Sequence, residues 1–331
     1  MGNIIANRLI APQVRNACEV LTDKDYGVCR HRRYYQIAGI TIQLQSDIPI
    51  SDQTFELELK KFEVAEPGSD IISISLHFLL PDLQCINLGK EVYRRPPWVI
   101  YRQDKSWIYL GIAPKQNNID AQFLAVFNDD HSLGAIYANR KDQFLKGQLS
   151  SLTLFPTDQI LLACILADRN ACIFHSAAII MNKRGLLFLG DSEAGKTTIA
   201  AMLESKAEII CDERNIVRRW PEGFRIHGTW MHSKIPVVSS SSGPLNAIMF
   251  LRKSNQNCIN PISNRGEITR NLLKYVVKSL VTADWWNKTI DLMKSMSNEL
   301  PCYELEFDRT GSIADELEEL VDRLTFLGND L

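Results

Sequence analysis

Residues Gly190-Asp191-Ser192-Glu193-Ala194-Gly195-Lys196-Thr197 fit the pattern G-x-x-x-x-G-K-[ST], and the apolar run Leu186-Leu187-Phe188-Leu189 leads directly into them. A strand therefore feeds a tight glycine loop, and the pattern Thr198-Ile199-Ala200-Ala201-Met202-Leu203 continues it as a helix. In such a loop the glycines let the backbone curl until successive N–H groups point inward, and the helix begun at Lys196 aims its positive end at the same spot. That geometry suits a nucleoside polyphosphate such as ATP. Residues 190–197, with Thr198 behind them, cradle the phosphates, Lys196 reaches through solvent-filled space to the outer ones, and Thr197 ligates Mg²⁺.

Composition narrows the rest. At 331 residues the chain can bury two cores. A net charge of −2 and a pI of about 6.3 give no general pull toward nucleic acid or anionic lipid, so phosphate recognition has to be local. The 8 cysteines include no C-x-x-C pair and lie mostly in apolar runs, which reads as reduced thiols rather than a disulfide framework or a zinc site. No stretch reaches the ~18 apolar residues of a membrane span. The start, Met1-Gly2-Asn3-Ile4-Ile5-Ala6, has Ala6 where a myristoylation signal wants Ser or Thr. A cytoplasmic protein without nucleic-acid or membrane partners is expected; a homo-oligomer stays open.

Residues 1–30 show no clear period and are read as an N-terminal arm. Residues 31–147 read as a mostly antiparallel β domain: Tyr35 to Ile42, the alternation Phe55 to Leu59, Ile71 to Leu76, and the pair Trp98 to Tyr101 and Trp107 to Leu110 are expected strands between polar turns. The pattern changes at Pro156-Thr157-Asp158-Gln159, where Thr157 or Asp158 caps a buried helix from Ile160 to Ala167, so residues 148–331 form the second domain. There a strand from Ala171 to Ile180 turns through Met181-Asn182-Lys183-Arg184-Gly185 and a second strand returns into the glycine loop, and Ala207 to Cys211 is a further strand ending in Asp212-Glu213. Acidic residues at a strand end beside a phosphate loop are suited to hold Mg²⁺ or to act as a base. His175 lies on the hairpin strand before the loop.

The strings Ile173 to Ala178, Gly185 to Thr197 and Ile209 to Glu213, in this order and spacing, resemble the catalytic core of HPr kinase/phosphorylase. The resemblance is closest to stand-alone HPr-kinase-like proteins of ribosomal-peptide maturation cassettes, such as lasso-peptide precursor kinases. It extends through His227-Gly228-Thr229-Trp230, Gly243 to Leu251 and a helical stretch Ile268 to Leu280, covering about residues 150 to 310. It implies an α/β P-loop kinase domain of the type shared with ATP-dependent phosphoenolpyruvate carboxykinase. It also implies an ATP- and Mg²⁺-dependent kinase of a serine or threonine hydroxyl in a peptide or protein. By the same resemblance Asp212 is the catalytic base, His175 contacts phosphate, Glu213 is the second acid beside Thr197 at the metal, and Lys196 acts on the transferred group. The family usually has Asp-Asp where this chain has Asp212-Glu213, and small residues where it has Glu193-Ala194.

Arg225, Arg252, Lys253 and Arg265 are candidates for a cation closing over the phosphates. The segment Val237 to Gly243 suits either a mobile loop over the site or a plain connector. Trp285-Trp286 reads as a core or domain contact. Two other functions remain: a small-molecule kinase, for instance of free serine, and a nucleotide-binding regulator that phosphorylates nothing.

Overall fold

The computed structural model describes residues 15–16, 19, 29–112, 121–231, 237–278, 282–308 and 310–327. Nearly all of the N-terminal arm, residues 1–30, lies outside them. Alternating apolar residues in the first half build a nine-stranded sheet from β1 (His31–Ile37), β2 (Ile40–Ser46), β3 (Glu63–Val64), β4 (Ile71–His77), β5 (Lys90–Arg95), β6 (Trp98–Gln103), β7 (Ser106–Ile112), β8 (Ala121–Phe127) and β9 (Leu133–Ala138). Its order is β3-β1-β2-β4-β9-β8-β7-β6-β5. β4 runs parallel to both of its neighbours, β2 and β9; every other pair is antiparallel.

Two expected strands come out differently. Tyr35 to Ile42 turns at Ala38-Gly39, whose φ of 50° and 75° make the link of a β1–β2 hairpin. The alternation Phe55 to Leu59 runs into a short helix, α1 (Leu57–Lys60). Phe55 and Leu59 are both buried, and residues four apart share a face in a helix as they do in a strand, so packing decides between the two.

The second sheet contains β10 (Ala171–Met181), β11 (Arg184–Leu189), β12 (Glu208–Cys211), β13 (Arg214–Trp220), β14 (Gly223–His227), β15 (Ser242–Lys253), β16 (Cys258–Pro261) and β17 (Cys302–Phe307). Two long strands change partners along their length. β10 pairs with β13 through Ala171 to His175, then with β11 and β12 from Ser176 onward. β15 pairs first with β14 and then lies between β11 and β17, parallel to both. Leu186 and Phe188 face a core that includes Ile199 of α3 (Lys196–Met202) and Leu317 of α6 (Ile313–Leu327). Leu187 and Leu189 face Leu272 of α4 (Arg265–Tyr275) and Met293 of α5 (Ala283–Glu299).

Between the two sheets runs α2 (Gln159–Ala167), in which Ile160 to Ala167 are all buried. A helix apolar on every side needs cover on every side. Ile72 and Ile74 of the first sheet and Ile173 and Ile216 of the second share its core, and Trp285 Nε1 donates to the Ala163 carbonyl at 3.3 Å. Thr157 Oγ1 accepts from Gln159 N at the helix start. Asp158 makes no cap bond; its carboxylate instead accepts from the Ser151 and Thr153 hydroxyls, two backbone amides and Trp230 Nε1. Among the described residues no helix is long and apolar enough to cross a membrane.

Candidate functional site

Strand direction alone gathers the chemistry at one edge. β11, β15 and β17 run parallel, and β12 shares their direction because both it and β11 are antiparallel to β10. The glycine loop after β11, Asp212-Glu213 after β12, residues 253–255 at the end of β15 and Phe307-Asp308 at the end of β17 therefore meet. β10 sets Ser176 opposite Leu189, which brings His175 to the same edge. Together these residues line a cavity of about 1130 Å³.

Packing fixes the loop's form. A Cβ on Gly190 would lie 2.7 Å from Ala194 Cβ, and one on Gly195 would lie 2.7 Å from the Phe307 ring. Gly195 also has φ +101°, a region costly for side chains other than glycine. Glu193 takes φ 65° without that freedom, a strained turn of the kind found where a loop must hold one shape.

Lys196 departs from expectation. Instead of extending into solvent it is 7% exposed, and its Nζ donates to the Gly190 and Asp191 carbonyls at 3.0 and 3.1 Å. The curled loop presents these inward-facing acceptors to the ammonium. Burial pushes its pKa below the ordinary lysine value, while Glu213 and Asp191 act against the shift.

Asp212 is buried, and its Oδ2 accepts from the Thr197 hydroxyl at 3.3 Å. Glu213 Oε1 lies 3.4 Å from His175 Nδ1 and 3.1 Å from Arg214. The hydrogen bond from His175 holds the Glu213 carboxyl below its usual range against the opposing effect of burial, with Arg214 and Lys196 adding attraction. The chain turns sharply after Cys211, so neighbouring acids that a straight strand would point apart both line the cavity. Sequence reasoning missed what holds that turn. Asn215, wholly buried, donates through Nδ2 to Ser176 O, Ser176 Oγ and Cys211 O, and Ser176 N donates to Glu213 O at 3.1 Å. The only available signal was an amide next to the apolar pair Ile216-Val217 in the strand Arg214–Trp220.

Of the four candidate cations, only Lys253 lines the cavity. Arg252 pairs with Glu304, Arg225 donates to Ser242 on a different face of the molecule, and Arg265 opens α4. Lys274, which is not among those four, does meet the loop: its Nζ is 2.7 Å from Asp191. The segment Val237 to Gly243 is a paired connector: Val238 bridges Cys211, and Ser239 N donates to Ile210 O at 2.8 Å.

Among the described residues no cluster of three or more His, Cys, Asp or Glu could hold a metal by itself. The Thr197 hydroxyl and the Glu213 carboxylate, with the Asp212 carboxylate beside them, are hard oxygen ligands that fit Mg²⁺, whose other positions are commonly filled by water and substrate phosphate.

Residues 158–322, about half the chain, match the family described as SynChlorMet cassette protein ScmC. No curated protein matches the chain. Among solved structures, the Hpr(Ser) kinase/phosphatase from Coxiella burnetii is similar over 48% of this chain and 94% of its own, at 10% identity and a TM-score of 0.29.

Proposed function

We propose that the chain, whose residues 158–322 match the SynChlorMet cassette protein ScmC family, is an ATP- and Mg²⁺-dependent kinase that phosphorylates a serine or threonine hydroxyl of a peptide or protein. The observation that carries this reading is the Thr197–Asp212 contact of 3.3 Å within one cavity that also holds Lys196, Glu213 and His175. A nucleotide-binding switch needs the loop but no base beside it.

Phosphoryl transfer asks the protein mainly for positioning and charge stabilisation. The loop amides and Lys196 bind the phosphates, Lys196 exchanging its two carbonyl partners for phosphate oxygens. Thr197 and Glu213 hold Mg²⁺, which when bound neutralises charge on the phosphoryl group. Asp212 accepts the proton of the attacking hydroxyl, and His175 keeps Glu213 ionised and oriented.

The test is calorimetry with ATP and Mg²⁺, followed by transfer to a serine-containing precursor peptide and to free serine. Lys196→Ala should lose nucleotide binding. Asp212→Asn should retain it and lose turnover by roughly 10²- to 10⁴-fold, as for removal of a general base. Wild-type protein that takes up no nucleotide in the presence of Mg²⁺ would refute the reading. Transfer to free serine with none to peptide would favour the metabolite kinase.

A further inference from the structure

A second cavity, of about 330 Å³, lies away from the glycine loop, where the first sheet meets the β13–β14 hairpin. Its charged and polar lining is mostly donors: Lys61 and Gln36 from the first sheet's side, Arg225 and Ser242 from the second, and the rings of Trp220 and His227. Glu222 is its only carboxylate. Trp220 Nε1 and His227 Nε2 are buried without a hydrogen-bond partner, as is Nε of the neighbouring Arg218. These three atoms are closed off from a water-sized molecule, so the donors left to a ligand are those of Lys61, Gln36, Arg225 and Ser242.

The surroundings keep these groups in place. The Trp220 ring packs against the Ala38-Gly39 turn, so that a Cβ on Gly39 would lie 2.6 Å from it. Arg218 stacks over the same ring at 4.1 Å and donates to the Ala38 carbonyl. Arg225 spends one donor on Ser242, and Lys61 spends one on the Val238 carbonyl, which leaves most of their N–H groups for a ligand. Burial, with the charges of Arg225 and Arg218, pushes His227 down to about 3, so the ring adds no charge to the cavity near pH 7.

We propose that this cavity binds a small phosphate-bearing anion, with Arg225 and Lys61 supplying charge and Gln36 and Ser242 supplying further donors. Donors arriving from both sheets suit a tetrahedral oxyanion better than a planar carboxylate. The volume sits at the lower end of small-molecule pockets, about 300 to 1,000 Å³, so the ligand is inorganic phosphate or a compact phosphate monoester. Its position gives it a route to the first site. Lys61 holds Val238, and Val238 and Ser239 pair with the strand that delivers Asp212. The proposal goes beyond the kinase reading and does not depend on it.

Titration calorimetry on Lys196→Ala protein, in which the glycine loop is disabled, tests it with inorganic phosphate, glycerol 3-phosphate and acetate as probes. One phosphate or phosphate monoester should bind per chain, and the tighter of the two names the source. In the same background Arg225→Gln should weaken binding about tenfold or more, the effect of losing a charged hydrogen bond. Lys61→Gln, which keeps the length and removes the charge, should weaken it to a similar degree. Circular dichroism confirms that each variant is folded. Lys196→Ala protein that binds neither phosphate at millimolar concentration, an unchanged affinity in both cavity variants, or equal binding of acetate would overturn the proposal.

Discussion

Lowering the pH from 7.5 to 5 should destabilise this protein through two histidines that the fold keeps uncharged. His131 and His227 are 3% and 7% exposed. Burial pushes each down to about 3 from an ordinary value of 6.5. For His131 the Arg102 charge adds to burial while Asp130 and Asp129 oppose it; for His227 the Arg225 and Arg218 charges add to it. A native pKa below the unfolded one means that the unfolded chain binds a proton the native chain refuses. The penalty is absent above pH 6.5, grows as the pH falls, and levels off near 3. At about 1.4 kcal/mol per pH unit, each histidine costs about 2 kcal/mol at pH 5 and the pair about 4, a large part of an ordinary folding free energy. Carboxylates do not confuse the window. Glu213 and Asp130 have lowered native values, so their contribution is present above about pH 4 and is lost only below it. Urea unfolding at both pH values reads the effect. His131→Asn is the informative variant, because asparagine tolerates the φ of 56° that His131 adopts. It should halve the pH-dependent loss whatever it does to absolute stability. A wild-type loss below about 1 kcal/mol, or a variant with the full wild-type loss, would refute the argument.

Gly195→Ala should be destabilising and should impair nucleotide uptake, since the new Cβ meets the Phe307 ring at 2.7 Å and the backbone sits at φ +101°; the cost should be of order 1–3 kcal/mol by thermal unfolding, with calorimetry for the ligand. A chain cut to residues 148–331 strips the first sheet from α2 and should show apolar-dye binding and a broadened, weakly cooperative melt. A sharp native-like melt of that fragment would show that the second domain folds alone.

The glycine loop and its flanking strand and helix were legible because every determinant is local: four apolar residues, two glycines and an apolar helical run. The β10–β11 hairpin was legible for the same reason, its turn at Asn182-Lys183 standing between two apolar runs. What brings residues 253–255 and Asp308 to the site is not local. It rests on the parallel pairing of Leu186 to Leu189 with Ala247 to Phe250, and of Ile248 to Lys253 with Cys302 to Phe307, contacts with no short-range signature. Lys274 was invisible for a similar reason. It is one lysine among many on exposed helix faces until the fold sets it beside Asp191. Lys196 was misjudged because motif reasoning says where its ammonium acts and not what the curled loop offers it, which is the Gly190 and Asp191 carbonyls.

The first sheet is easily regarded as an appendage that captures a partner, yet its contacts point to a more direct effect on the candidate site. Along β10, Ile173 packs in the core shared with the first sheet and α2, while Phe174 packs in the core formed with α4 and α5. His175 follows immediately, so its position is set by both cores at once. Polar ties run the same way: Arg169 grips Asp70 at 2.7 and 2.8 Å, Arg218 donates to Ala38 O, and Lys61 donates to Val238 O. A loss of packing on the first sheet, for example Ile74→Ala, therefore loosens the strand that aims His175 and the connector that supports Asp212. Such a variant should lower the rate of phosphoryl transfer more than nucleotide affinity, because the glycine loop is held by α3, α6 and Phe307 on the far face of the second sheet. If nucleotide affinity fell as steeply as rate, the two faces would be coupled through the sheet and this division of labour would be wrong.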